Sequence, residues 1–194
     1  MRVVLASGNR GKLRELAALL APLGYELIAQ DALGVQSPPE TGDTFVANAL
    51  LKAHHASRAT GLAALADDSG IEVDALNGRP GVRSARFAGD DATDEQNLAK
   101  LLSDLKDVPD ERRTARFQCV IVFTRGSGEP LIAQGTWEGR IAASPRGHHG
   151  FGYDPVFIPA GLTVTSAELD PSDKNERSHR AQALRALVSK LQKE

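Results

Sequence analysis

Asp67 and Asp68 stand side by side at the close of the apolar run Leu62 to Ala66 and just before Ser69-Gly70. Carboxylates in such a place can hold a hard divalent cation through oxygen, and they can take a proton from water. Adjacent residues of a strand point to opposite faces, so one of the two is expected to enter a site. Glu40 is the candidate second metal ligand, because magnesium takes one or two carboxylates and leaves its other positions to water and substrate phosphates. Taken singly, each acid reads as a solvated turn residue, Glu40 above all.

A phosphate partner for such a metal is suggested by Ser7-Gly8-Asn9-Arg10-Gly11-Lys12, which follows the apolar run Val3 to Ala6. A strand that turns into a helix here offers backbone N–H groups and the positive end of the helix dipole, and Lys12 adds a full charge. The spacing is too short for a Walker A loop, so the ordinary kinase or ATPase reading loses support. A tight turn is the plain alternative. Asn48 and Lys52 lie at i and i+4 and share a helix face close in sequence to Glu40, a spacing equally ordinary on a solvated surface.

Base recognition has its own candidates. Gly147 to Pro155 reads Gly-His-His-Gly-Phe-Gly-Tyr-Asp-Pro, with aromatics between glycines that allow close approach to the backbone. Phe151 can stack on a base, and a hydrophobic plug under the loop is the equal alternative. His148 and His149 have no other histidine at a ligand spacing and read as polar loop residues. Lys174 and Ser178-His179-Arg180 stand before the last helical pattern: Ser178 suits a cap, His179 and Arg180 are donors for a carbonyl, and Lys174 can approach phosphate or base.

These residues need a scaffold. Leu13, Leu16, Ala17 and Leu20 fall at helical spacing after the glycine turn. A second helix is expected from Asp43 or Thr44, with Val46, Ala49, Leu50 and Ala53 inward and Asn48 and Lys52 on the opposite face. Leu62 to Ala66 and Ile71 to Ala75 read as two strands meeting at the acidic junction, followed by an Asn77-Gly78 turn. Thr93 and Gln96 form a capping box ahead of the stripe Leu98, Leu101, Leu102 and Leu105, a helix that looks structural. Ala115 to Phe123 is apolar on both faces, as in a central strand. Leu131 to Trp137 and Arg140 to Ala143 are further strands, with Gly135 and Gly139 suggesting bulges or a hairpin. Pro145 to Asp154 is expected to be an ordered loop, and the last helix buries Leu184, Leu187, Val188 and Leu191. Strands and helices alternate early and strands cluster late, which favours an α/β fold with a mixed sheet.

The bulk properties exclude several classes. With 41% hydrophobic residues in 194 the chain can bury one sizeable core, so a single domain over residues 1–194 is expected, two-lobed at most. A net charge of -2 supplies no global basic field for nucleic acid, so any phosphate site must be local. Cys119, the only cysteine, excludes an intramolecular disulfide and reads as a buried thiol. The apolar run after Met1 is too short for a signal peptide and no stretch reaches membrane-spanning length, which makes a cytoplasmic location the expectation.

Five segments in this order resemble the inosine/xanthosine triphosphate pyrophosphatase family: Ser7 to Lys12; Glu40-Thr41-Gly42 with Phe45, Asn48 and Lys52; Ala66 to Gly70; Gly150 to Pro155; and Ser178 to Arg180. The resemblance runs almost end to end. It implies an α/β fold whose long mixed β-sheet is flanked by helices, with two lobes around a central nucleotide-binding cleft, and a homodimer. It implies Mg²⁺ as cofactor, a nucleoside triphosphate such as ITP, dITP or XTP as substrate, and hydrolysis to monophosphate and pyrophosphate by Mg²⁺-assisted attack of water on the α-phosphorus, cleansing the nucleotide pool.

The likeness also distributes roles. Asp68 is general base and metal ligand, Glu40 shares the metal, and Lys52 and Asn48 support phosphate and water. Ser7, Gly8, Asn9, Arg10, Gly11, Lys12 and Ser69 contact the triphosphate. Phe151, Gly152, Tyr153 and Asp154 cradle the nucleoside, while Lys174, His179 and Arg180 read the base. A 6-keto purine offers an acceptor at O6 where adenine offers a donor, so donors there reject ATP, with discrimination on the order of 10⁴ when buried polar groups are left unpaired. Two other readings stay open: the related septum-inhibitor-like pyrophosphatases, which prefer pyrimidine or modified nucleotides, and a nucleotide sensor without turnover. The Gly150 to Asp154 and Ser178 to Arg180 segments argue against the first, and unchanged binding without product in Asp68→Asn would mark the second.

Overall fold

The computed structural model describes residues 1–193, leaving aside the side chains of residues 10, 18, 19 and 23. One six-stranded sheet runs in the order β2-β1-β3-β4-β5-β6, comprising β1 (Arg2–Leu5), β2 (Glu26–Ala29), β3 (Ala63–Val73), β4 (Thr114–Thr124), β5 (Leu131–Ile141) and β6 (Phe157–Pro159). β1 pairs in parallel with β2 and β3, and β5 pairs antiparallel with β6, so the sheet is mixed. The helices are α1 (Arg10–Leu20), α2 (Phe45–Thr60), α3 (Asp94–Asp104), α4 (Pro171–Arg177) and α5 (His179–Leu191). No helix among the described residues is long and apolar enough to cross a membrane.

The chain divides into two compact units. The first holds residues 1–68, 119–135 and 180–194. Its strands alternate between two cores, as the period of two demands. Val3, Leu5, Leu65, Cys119, Ile121 and Phe123 pack with Leu16 and Leu20 of α1 and with Ala183, Leu184 and Leu187 of α5. Val4, Ala6, Ala64, Ala66, Val120 and Val122 face Ala49, Ala53 and Ala56 of α2. A fully buried leucine contributes about 1.5–3 kcal/mol, so Leu16 and Leu187 alone anchor their helices firmly. The second unit holds residues 69–118 and 136–179. Its core joins Ile71 and Val73 to Leu101 of α3 and to Leu105 at its C-terminal cap, with the Phe157 ring against those of both Phe117 and Trp137.

Several expectations hold in detail. Thr44 caps α2 by accepting the Ala47 N–H, and the Thr93–Gln96 capping box opens α3 with both reciprocal bonds formed. Cys119 is buried. Three differ. β3 is one continuous strand rather than two meeting at Asp67-Asp68, because each carboxylate is met by cations from the helices and need not seek water. β5 is likewise continuous through Gly135 and Gly139. At Gly139 a Cβ would come within 2.4 Å of the Ile158 carbonyl oxygen and 2.6 Å of the Phe157 ring, so this glycine serves the close approach of β6 rather than a break. The third concerns Asn48 and Lys52, which are buried, 0% and 6% exposed, on the same side of α2 as Ala49, Ala53 and Ala56.

Candidate active site

The burial of Asn48 and Lys52 has a chemical reason. The Lys52 ammonium donates to Asp68 Oδ1 at 2.8 Å and to Glu40 Oε1 at 2.9 Å, so two carboxylates converge on one cation. Asn48 Nδ2 donates to Asp68 Oδ2 at 3.3 Å, while its Oδ1 accepts the Gly42 N–H at 2.8 Å. Asn48 thus holds both Asp68 and the turn that carries Glu40. A Cβ at Gly42 would stand 2.7 Å from Asn48 Oδ1, which explains a glycine there. Small alanines at 49, 53 and 56 bring α2 against the sheet, and Lys52 meets β3 beside them.

Electrostatics separate the members of this cluster. Burial pushes the Asp68 carboxyl above the usual carboxylate range, against the pull of the Lys52 and Lys12 charges. Burial also works against the charge on Lys52, and the negative charges of Asp68, Asp67 and Glu40 outweigh it and hold its pKa above the ordinary lysine value. A half-buried carboxylate, Glu40, completes the group. The result is a carboxylate whose pKa is raised by burial beside a lysine whose pKa is raised by its carboxylate neighbours.

Asp67 points to the other face of β3, as alternation requires. It is fully buried, with Lys12 Nζ at 3.0 Å and Arg180 Nε at 3.4 Å from Oδ2. Arg180 also pairs with Glu15 and is 1% exposed. Burial opposes its charge, and Asp67 and Glu15 together override that and raise its pKa. Neither Asp67 as a buried counter-charge nor Glu15 was legible as a site residue. The signal for Glu15 was its i+3 position from Lys12 on α1, which puts the two on one helix face.

The turn before α1 is tied by its own side chains. Ser7 Oγ accepts the Asn9 N–H at 3.2 Å, and Asn9 Oδ1 accepts the N–H groups of Gly11 and Lys12 at 2.8 and 3.1 Å. The expected free N–H groups are therefore corrected at these two positions: an asparagine N-cap satisfies them, as N-caps do. A Cβ at Gly8 would meet nothing within 4 Å, so this part of the turn is open. The side chain of Arg10 lies outside the described residues.

The second unit carries a separate cluster. Asp154, 2% exposed, is its hub: Oδ2 accepts the Phe151 N–H at 2.8 Å and the Lys174 ammonium at 2.6 Å, and Oδ1 accepts from Ser166 Oγ at 2.9 Å. Gly150 is left-handed at φ +78°, and a Cβ there would collide with the Asp154 carboxylate. The Lys174 ammonium also stands 4.9 Å from the centroid of the half-buried Phe151 ring. Tyr153 is buried with its hydroxyl donating to the Ser84 carbonyl at 2.8 Å, and burial together with the Asp94 charge raises its pKa. The Gly152 N–H donates to Asp94 Oδ2 at 2.8 Å. His179 is buried and stacks on Phe117, with centroids 4.7 Å apart and rings within 10° of parallel. The exposed His148 has its ring 4.4 Å from that of His149, and Ser69 lies half-buried in β3.

The sequence profile of the Ham1 family matches residues 3–190. A dITP/XTP pyrophosphatase of Shigella flexneri is 54% identical over 192 residues, 98% of each chain, and one of Methylococcus capsulatus is 54% identical over 98% of this chain and 96% of its own. Among solved structures, a HAM1 protein from Coxiella burnetii superposes with a TM-score of 0.90 at 48% identity over all of both chains. A nucleoside-triphosphatase, or dITP/XTP pyrophosphatase, from Mycobacterium abscessus has a TM-score of 0.78 at 46% identity over 97% of this chain and 99% of its own. The chain belongs to the Ham1 family.

Proposed function

We propose that this protein hydrolyses deaminated purine nucleoside triphosphates (ITP, dITP and XTP) to the monophosphate and pyrophosphate. The observation that carries this reading is the placement of one lysine ammonium between Glu40 and Asp68, the second of which is a buried carboxylate of raised pKa. The family membership and the activity named for its relatives support the substrate class. The whole chain acts as one catalytic domain, a homodimer working in the cytoplasm on free nucleotide.

The donor set fits a magnesium ion. Glu40 and Asp68 already converge on a cation, both are hard oxygen donors, and two carboxylates are the number Mg²⁺ commonly takes from a protein. When bound, the ion supplies charge neutralisation for the triphosphate oxygens. The protein's own groups do the rest. Asp68 accepts the proton of the attacking water, Asn48 holds the Asp68 carboxylate in place, and Lys52 keeps the pair oriented and offsets the charge that develops on phosphorus-bound oxygen. Attack at the α-phosphorus expels pyrophosphate, whose charge Lys12 and the Ser7 to Lys12 turn, with Ser69, stabilise.

Recognition of the nucleoside falls to the loop at Phe151 to Asp154. Phe151 offers the base a ring to stack on. Asp154 and Tyr153 serve as its supports, since their polar atoms are bonded to Lys174, Ser166 and Ser84. His179, fixed by its stack on Phe117, and Lys174 supply donors for a 6-keto group. Arg180 acts with them through its place beside Asp67. The test is pyrophosphate release from ITP, dITP, XTP, GTP, ATP and dTTP with Mg²⁺. Cleavage led by ITP, dITP and XTP is expected, and cleavage led by dTTP, or none, would overturn the reading.

A further inference from the structure

Helix α3 does not need Asp94 for its cap. Thr93 Oγ1 accepts the Gln96 N–H at 3.3 Å and Gln96 Oε1 accepts the Thr93 N–H at 2.8 Å, which completes the capping box. Asp94 instead sends its carboxylate to the Gly152 N–H, 58 residues away, at 2.8 Å. The neighbouring Phe151 N–H is held by Asp154 at the same distance. Two successive N–H groups of the loop are thus fixed by two different carboxylates, and the Phe151 side chain leaves the backbone between them.

The Asp94 tie closes a ring of bonds. Asn97, one turn along α3 and buried, accepts the Ala88 N–H at 2.8 Å and donates to the Ala85 carbonyl at 3.1 Å. That segment leads to Ser84, whose carbonyl accepts from the Tyr153 hydroxyl at 2.8 Å. The loop is therefore braced at Gly152 through Asp94 and at Tyr153 through Ser84, with α3 rigidly joined to both braces. Gly152 is left-handed at φ +61°, a conformation in which the N–H tie also fixes the direction of the chain leaving Phe151.

We infer that Asp94 is a positioning residue for nucleoside recognition, holding the Phe151 ring where a purine stacks on it. This rests on the reading of the Phe151 to Asp154 loop as the nucleoside contact. The Asp94 carboxylate bonds the nucleoside loop at Gly152, so its loss weakens substrate binding and leaves the chemical step alone.

The experiment compares wild type, Asp94→Ala, Asp94→Asn and Thr93→Ala by steady-state kinetics on ITP with Mg²⁺ and by amide hydrogen exchange of the substrate-free protein. A charge-assisted hydrogen bond corresponds to about a tenfold effect, so KM should rise about tenfold in Asp94→Ala with kcat nearly unchanged. Asp94→Asn, which keeps an acceptor oxygen, should recover most of the loss. Thr93→Ala should lower the melting temperature and leave KM alone. Exchange at Phe151 and Gly152 should quicken in Asp94→Ala only. A wild-type KM in Asp94→Ala, or an equal rise in Thr93→Ala, would overturn the inference. If wild type fails to cleave ITP, the proposed function falls, and the exchange rates still decide whether Asp94 positions the loop: unchanged rates in Asp94→Ala would refute it.

Discussion

Lys52 and Asp68 form a buried ion pair 2.8 Å long across α2 and β3, with side chains 8% and 7% exposed, and Glu40 shares the same ammonium. Breaking one side of such a pair leaves the other charge buried, which is strongly destabilising.

Replacing Asp68 with Asn keeps the shape and removes the proton acceptor. General-base contributions run to about 10³-fold, so kcat for ITP should fall by about that factor while nucleotide binding persists. Single-turnover kinetics alongside equilibrium ITP binding checks this.

The pH dependence has a fixed sign. Burial raises Asp68 above its ordinary value of 3.8, so the base is protonated to a higher pH than a free aspartate. The acid limb of kcat/KM, which reports the free enzyme, should lie above the usual carboxylate range, with activity rising as the pH climbs through it. For stability, the Asp68 contribution is fully present below 3.8 and is lost as the pH rises through the raised value. Denaturant titrations of wild type and Asp68→Asn across mildly acidic pH should therefore diverge in slope.

Arg180 is the buried counter-charge of Asp67 and Glu15. Arg180→Met removes that cation from beside Asp67 and Glu15, at a cost of about 3 kcal/mol. Urea unfolding measures this, and a loss below about 1 kcal/mol would show that the guanidinium is dispensable to the fold.

At Gly150 two constraints coincide, a left-handed backbone and an Asp154 oxygen 2.0 Å from where a Cβ would stand. Gly150→Ala should displace the Asp154 carboxylate, free Lys174 and raise KM for ITP far more than it lowers kcat. Equal kinetics in the two proteins would separate Asp154 from nucleoside binding.

The local signals that proved legible are those written in neighbouring residues: the strand, turn and helix from Val3 to Leu20, the Thr44 cap, the Thr93–Gln96 box and the opposite facing of Asp67 and Asp68. What escaped is set by partners distant in sequence. Asn48 and Lys52 read as a solvated face because periodicity sends polar residues outward, and their partners Glu40 and Asp68 belong to other elements. The acidic pair read as a strand junction for the same reason, since Lys12 and Arg180 approach it from α1 and α5. Gly139 read as a break because Phe157 of the short β6 carries no periodic signal of its own. Asp94 carries no local signal of its role, because its partner Gly152 lies 58 residues away.

Asp68 is proposed to drive attack of water on the α-phosphorus of a 6-keto purine triphosphate. Hydrolysis of ITP in ¹⁸O-labelled water, with Mg²⁺ and then with EDTA, in wild type and Asp68→Asn, tests it most directly. The label is expected in the monophosphate, with one pyrophosphate per turnover, no turnover with EDTA, and turnover about 10³-fold slower in the variant. Label in pyrophosphate, release of orthophosphate, or full activity in Asp68→Asn would contradict it.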